Sequence, residues 1–316
     1  MPNPRNPKVR VLDVGADMIE FEVTDTDVSM ANALRRVMIA ETPTLCIDTV
    51  DFEDNTSSLQ DEILAHRLGL IPLRSTEQAM SEFNFGFACD CEQYCEKCAV
   101  ELILDVDYDT EFQNREVDDP DLPIAITSMD LRSSNPDVVP AHFSTDKERQ
   151  MAQEQGIVIT YIGKGQAIKA KCIAKKGIGK EHAKWSPVAT VALKIEPIIK
   201  LAEEVLNDFT VEEKRDFVES CPKGVFEYDD NASAVKLVAA QDCIFCKECI
   251  YLAQDLRRHE NDPLAVAVEH SSSTFKFTVE STGALEPKEL VLNALDVLSE
   301  KLLKAKYAAA AIGMKS

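Results

Sequence analysis

Four of the ten cysteines fall within residues 89–98 and three within 243–249, which even scatter does not produce. The first run is Cys89-Asp90-Cys91-Glu92-Gln93-Tyr94-Cys95-Glu96-Lys97-Cys98, with gaps of one, three and two residues. Four thiolates about 2.3 Å from one ion meet the tetrahedral demand of zinc, and a closed four-sulfur set is structural. The run is too compact for helix or sheet, so a metal would replace a missing core. Free thiols and a disulfide pair are the competing readings. Exposed thiols this close together oxidise readily. The N-terminal residues lack the apolar stretch of an export signal, which points to a reducing compartment where clustered cysteines serve metals more often than disulfides. The compact closed set favours zinc over iron.

The second run, Cys243-Ile244-Phe245-Cys246-Lys247-Glu248-Cys249, spaces three cysteines by two residues each, with Cys221-Pro222 upstream. Bacterial-type ferredoxins use C-x₂-C-x₂-C-x₃-C-P, whose fourth cysteine serves the other cluster. Here that position is Ala253, followed by Gln254, so a second cluster has no ligand. Cys221, Cys243, Cys246 and Cys249 form the remaining set, with a hairpin expected over 225–238 to bring them together. An iron–sulfur cluster, a zinc ion and a metal-free remnant all stay open. No flavin or Rossmann motif accompanies the set, so a cluster there would serve structure or sensing rather than electron relay.

Other signals carry less chemistry. Asp105, Asp107 and Asp109 alternate and Glu116 falls twelfth in their frame, but the sixth position is Thr110 where a calcium loop needs Gly. Gly177-Ile178-Gly179-Lys180 lacks the upstream Gly and the following Ser or Thr of a phosphate loop. His66 and His182 have no evident nucleophile partner. Seven lysines over 164–184 face one acid, Glu181. Such a patch suits nucleic acid or an acidic protein, although stacking aromatics are sparse.

The elements that must hold these residues are legible at both ends. Ile19, Phe21 and Val23 alternate as a half-buried strand, and Met30, Leu34, Val37 and Met38 recur at helical spacing until Pro43. Near the C-terminus Phe275, Phe277 and Val279 alternate, Gly283 breaks the strand, and Pro287 suits a first helical position. Val291, Leu295, Leu298, Leu302 and Ala305 then step by 4, 3, 4 and 3, with Leu292, Val297 and Leu303 off that stripe. A helix apolar over so much of its girth wants cover from more than one side. Between the ends, 100–106 and 156–174 read as strands, 107–150 as loops and 199–218 as a helix. The net charge of −21 and the 45% hydrophobic fraction describe an ordinary globular protein whose surface as a whole repels nucleic acid. No apolar run approaches the about 20 residues of a membrane span.

Four blocks carry a resemblance: 32–44 (Asn-Ala-Leu-Arg-Arg-Val-Met-Ile-Ala-Glu-Thr-Pro-Thr), 65–73 (Ala-His-Arg-Leu-Gly-Leu-Ile-Pro-Leu), 176–187 (Lys-Gly-Ile-Gly-Lys-Glu-His-Ala-Lys-Trp-Ser-Pro) and 279–285 (Val-Glu-Ser-Thr-Gly-Ala-Leu). In that order they resemble the signature of the alpha-like subunits of cellular RNA polymerases, the family of bacterial alpha and its archaeal counterpart. The cysteine loop at 89–98 is similar to that of the eukaryotic RNA polymerase II member. The unit at 221–249 is more like the ferredoxin-like insertion of the archaeal member.

The resemblance implies an α+β fold: a discontinuous dimerisation domain from 1–49, 187–197 and 264–316, an inserted β-rich domain over 50–186 carrying the zinc loop, and a small ferredoxin-like insertion over 198–263. It implies a nuclear, non-catalytic platform. Met30, Leu34, Val37, Met38, Val291, Leu295, Leu298 and Leu302 would face a smaller alpha-like subunit in a heterodimer. Arg35, Arg36, His66, Arg67, Lys180 and His182 would seat the large catalytic subunits, beside small accessory subunits. The implied cofactors are zinc at Cys89, Cys91, Cys95 and Cys98, and a [4Fe-4S] or [3Fe-4S] cluster at the second set. The alternatives are the member shared by polymerases I and III, which usually lacks the zinc loop, and a free-standing iron–sulfur redox protein, for which no second cluster or flavin motif is present.

Overall fold

Alternation of apolar and polar residues makes the chain ends into strands of one sheet. The computed structural model describes residues 6–114, 122–142, 156–258 and 263–313. Strands β1 (Lys8–Val14) and β2 (Met18–Thr24) precede helix α1 (Val28–Ala40), which Asp27 caps by accepting from the Met30 amide at 2.8 Å. Strands β3 (Pro43–Asn55), β5 (Ala99–Asp107), β7 (Leu131–Ser133) and β10 (Ala167–Ile178) form a four-stranded sheet in the order β3-β10-β5-β7. A second four-stranded sheet runs β1-β2-β14-β11, where β11 is Val188–Leu201 and β14 is Val266–Ser281. The two ends of the sequence therefore meet in one sheet, where Phe21 stacks on Phe277 with centroids 4.8 Å apart. Pro197 lies in β11 at the sheet's edge, where a residue without an N–H is tolerated.

Contacts divide the chain into two compact units. One gathers 1–10, 21–31 and 193–277; the other gathers 11–20, 32–192 and 278–316. In the first unit, Leu206, Phe209, Phe217, Phe226, Ala253 and Val266 make a core between helices α6 (Val211–Glu219) and α7 (Glu248–Asp255) and the hairpin β12 (Phe226–Asp229) and β13 (Ala234–Leu237). That hairpin lies where the sequence expected one. In the second unit the β3-β10-β5-β7 sheet is flanked by helix α2 (Asp61–Gly69), and the chain ends in helix α8 (Pro287–Gly313).

Two expectations are corrected. The helix over 199–218 is a strand end and two helices: β11 runs to Leu201, α5 (Glu203–Asn207) follows, and α6 restarts at Thr210. The Thr210 side chain accepts from the Glu213 amide and the Glu213 carboxylate accepts from the Thr210 amide, a reciprocal cap that begins a new helix. Between the two helices Phe209 turns into the core, 5% exposed. The 107–150 stretch is not all loop. Its described residues include helix α4 (Tyr108–Asn114) and strands β6 (Ile124–Thr127), β7 and β8 (Val138–Pro140). Two of these strands form small ladders, β6 with β9 (Val158–Ile162) and β8 with β4 (Leu73–Ser75). Asp107, one of the alternating aspartates, accepts from the Thr110 amide and caps α4, while Glu116 lies outside the described residues. No helix among the described residues is long and apolar enough to cross a membrane.

Candidate functional site

The four cysteines of 89–98 converge in space as well as in sequence. Sulfur–sulfur distances are 3.6 Å for Cys89–Cys95, 3.6 Å for Cys91–Cys98 and 3.8 Å for Cys95–Cys98, and all four sulfurs lie within 4.8 Å of one another. A disulfide requires about 2.05 Å, so no pair is bridged. Ligands about 2.3 Å from a tetrahedral ion stand about 3.8 Å apart, and the observed spacing matches. The donor set is all sulfur, and the Cys95 amide donates to the Cys98 sulfur at 3.3 Å. The residues present therefore fit one metal ion. As bare thiols they are mutually perturbed: hydrogen bonding from the Cys91 backbone pulls Cys89 down, while Cys89 and Cys98 push Cys91 up to about 12.

Little else holds the loop. Its packing is Cys98, Ala99 and Ile173 with Tyr94 and the other cysteines against them. One lysine of β10 reaches it and a second holds the segment just before it. Lys171 pairs with Glu101 at 2.8 Å and lies 5.7 Å above the Tyr94 ring. Lys176 donates to the Met80 and Phe83 carbonyls at 2.7 and 3.0 Å, at the C-terminal end of helix α3 (Glu77–Glu82), where a cation suits the helix dipole.

The second cysteine set has a different geometry. Cys221, Cys243, Cys246 and Cys249 all line one cavity, closed by Ile199, Pro222, Val225, Phe226, Ile244, Phe245, Lys247 and Val268. Among the described residues, only the first set brings its ligand atoms close enough for one shared ion. Burial pushes the Cys249 thiol up to about 11, and Cys246, Cys221 and Cys243 each add to the rise. The loop between them holds two non-glycine residues in the left-handed region, Phe245 at φ 57° and Lys247 at φ 70°. Such conformations cost about 1–3 kcal/mol each and persist where surrounding structure demands them. Turns of this kind aim successive amides at one point, as in many iron–sulfur sites.

The lysine patch is mostly engaged within the chain. Lys169 pairs with Glu53, Lys171 with Glu101 and Lys184 with Asp48, each at 2.8 Å, and Lys176 is taken by backbone carbonyls. Block 176–187 instead folds back on β3. Gly177 lies under Trp185, where an added Cβ would come within 2.4 Å of the ring, and a Cβ added at Gly179 would come within 2.5 Å of the Ile39 carbonyl oxygen. The glycines serve close packing. His182 Nδ1 accepts from the Lys184 amide, and Cys46 donates to the Lys184 carbonyl.

The remaining expected site residues divide by exposure. Leu34, Val37 and Met38 are buried in the chain's own interior, whereas Met30 is exposed. Leu295 and Leu302 are exposed, with Leu292 and Leu303 beside them; Val291 and Leu298 are half-buried. Arg36, His66, Lys180 and His182 are exposed. Arg35 donates to the Val191 carbonyl at 3.0 Å and Arg67 to the Ile159 carbonyl at 2.7 Å, so both arginines also brace their surroundings. The sequence reading missed the exposed Phe87, stacked on Phe85 beside the cysteine loop. It also missed Lys176 as a helix cap, which no local spacing signals.

Comparison with known proteins completes the picture. The profile described as RNA polymerase Rpb3/Rpb11 dimerisation domain matches residues 20–302. The chain is 41% identical over 300 residues to DNA-directed RNA polymerase II subunit rpb3 of Dictyostelium discoideum, covering 94% of this chain and 93% of that one. It is 42% identical over 301 residues to the Arabidopsis thaliana subunit 3 of DNA-directed RNA polymerases II, IV and V, covering 94% and 90%. Identity is 32% over 302 residues to the rpac1 subunit of polymerases I and III of Dictyostelium discoideum, covering 94% and 80%.

Proposed function

The chain belongs to the RNA polymerase Rpb3/Rpb11 dimerisation family, and from that premise we propose that it is the non-catalytic assembly platform of a nuclear RNA polymerase II. It pairs with a smaller alpha-like subunit and seats the large catalytic subunits for transcription of mRNA. The observation that carries this reading is helix α8, whose Leu292, Leu295, Leu302 and Leu303 are 42–53% exposed. Removing apolar area from water is worth roughly 25 cal/mol per Å², so such a face drives association once a complementary surface is present. The stronger likeness to the polymerase II subunits than to the I and III subunit favours the polymerase II assignment.

The partner contacts on this reading are Met30 on α1 and, separately, Val291, Leu295, Leu298 and Leu302 on α8. Leu34, Val37 and Met38 act behind it, fixing α1 in place. Arg36, His66, Lys180 and His182 supply exposed contacts for the large subunits, and Arg35 and Arg67 position the surrounding backbone. The dimerisation domain comprises 1–49, 187–197 and 264–316, with the insertions over 50–186 and 198–263. Zinc at Cys89, Cys91, Cys95 and Cys98 holds the loop that its few apolar contacts cannot. Cys221, Cys243, Cys246 and Cys249, ringed about one cavity rather than one point, suit a [4Fe-4S] or [3Fe-4S] cluster, which would cross-link α7 to the segment before β12.

Co-expression with the small alpha-like subunit tests the reading. The expected result is a soluble 1:1 heterodimer that Leu295→Glu prevents. A well-behaved monomer that ignores the partner would overturn it.

A further inference from the structure

Every charged residue lining the second cysteine cavity is a cation. Lys223 and Lys247 stand on its wall, whereas Asp242 and Glu248, next in sequence to Cys243 and Cys249, do not line it. Both lysines are exposed. In a chain of net charge −21 an acid-free wall is a local exception. The first cysteine set shows the opposite choice, since Asp90 and Glu96 line the cavity beside it with Lys97. A site of fixed charge tolerates acids; a site that gains negative charge during its work is better served by cations.

The backbone adds charge of the same sign. Lys247 precedes α7, and no side chain caps that helix start, so the first-turn amides beside Cys249 remain for an anion. Phe245 and Lys247, at φ 57° and 70°, turn the loop on either side of Cys246. Turns of this kind gather amides about a concavity. Iron–sulfur cores held by thiolates are anionic, and net charge and hydrogen bonding to the sulfurs set how readily they accept an electron.

We infer that Lys223 and Lys247 hold the anionic cluster in its cavity and favour its reduced form. This rests on the iron–sulfur reading proposed above and names the residues that tune that site. The added electron stays on the core with no bond made or broken, and the lysine cations offset the negative charge it brings. A unit charge on the wall, acting through an effective permittivity between those of protein and water, changes the reduced-to-oxidised ratio about three- to tenfold.

Anaerobic redox titration of the full chain with dithionite, followed by visible absorbance and electron paramagnetic resonance, tests it. Lys247→Gly removes the cation and relieves the left-handed backbone, so charge and shape act in opposite senses. At a fixed solution potential, Lys247→Gly and Lys223→Gln should each lower the reduced-to-oxidised ratio about three- to tenfold. Lys247→Glu should lower it further, and Lys247→Arg should keep the wild-type ratio. Release of iron to a chelator should quicken in the same order. A brown wild type whose ratio is unchanged in Lys247→Gly and Lys223→Gln overturns the role of the lysines alone. An equal fall in Lys247→Arg assigns the effect to the shape of the loop and overturns that role too. A colourless anaerobic wild type overturns the cluster reading beneath it.

Discussion

Replacing Cys95 by Ser takes one sulfur from a set whose spacing leaves no substitute ligand. Cys95 lies 3.6 Å from Cys89 and 3.8 Å from Cys98, so its sulfur is shared between both sides of the site. Structural zinc sites contribute about 10–16 kcal/mol at pH 7. If four thiolates share that evenly, one accounts for about 2.5–4 kcal/mol, or roughly a hundred- to a thousandfold in zinc affinity. The sheet should survive, because Ala99 and Ile173 belong to β5 and β10, which pair with each other, and β10 pairs with β3 on its other side, independently of the loop. The expected outcome is one zinc per wild-type chain by elemental analysis, and a Cys95→Ser protein that releases zinc to a chelator at a concentration at least about a hundredfold lower. Far-ultraviolet circular dichroism should stay the same. The reasoning fails if the wild type carries no zinc, or if Cys95→Ser retains it with undiminished affinity.

Three further outcomes follow from the same geometry. Anaerobic purification should give brown protein whose visible absorbance disappears in Cys246→Ser; a colourless wild type would retire the cluster. Burial raises the thiol of Cys172 from 9.0 to about 12 and that of Cys46 to about 11. Both folded values lie above the unfolded one, so this contribution is whole below about pH 8.5 and is lost as pH rises toward 11–12. For Cys172 the full span is worth about 4 kcal/mol at 1.36 kcal/mol per unit. Denaturant unfolding between pH 8 and 11 should show the decline, lessened in Cys172→Ala; a flat profile would contradict it. Lys176→Met should cost about 2 kcal/mol by leaving the Met80 and Phe83 carbonyls without their charged donor. That lowers Tm by roughly 4–8 °C, and calorimetry showing no shift would refute the capping role.

What the sequence revealed and what it hid separate by the distance over which each cause acts. Cys89 to Cys98 is a ten-residue run whose ligand spacing is itself the signal, so the tetrahedral set was legible before any fold. The alternation of Ile19, Phe21 and Val23 likewise announced β2. The lysines of 164–184 misled because their partners are remote in sequence: Lys184 meets Asp48 136 residues away. Composition within a window counts charges but does not show which are already neutralised across a sheet. Gly177 is the same problem in backbone form. Its only requirement is the Trp185 ring lying over it, and without the β10–β3 pairing a Gly-x-Gly-Lys run looks like a phosphate loop with errors. The partner face is intermediate. Helical spacing grouped Met30 with Leu34, Val37 and Met38, but spacing alone does not say which apolar residues their own chain consumes. Once those three are buried, the large apolar side chains of that proposed face left exposed lie chiefly on α8, the helix whose apolar girth exceeded what one core could cover.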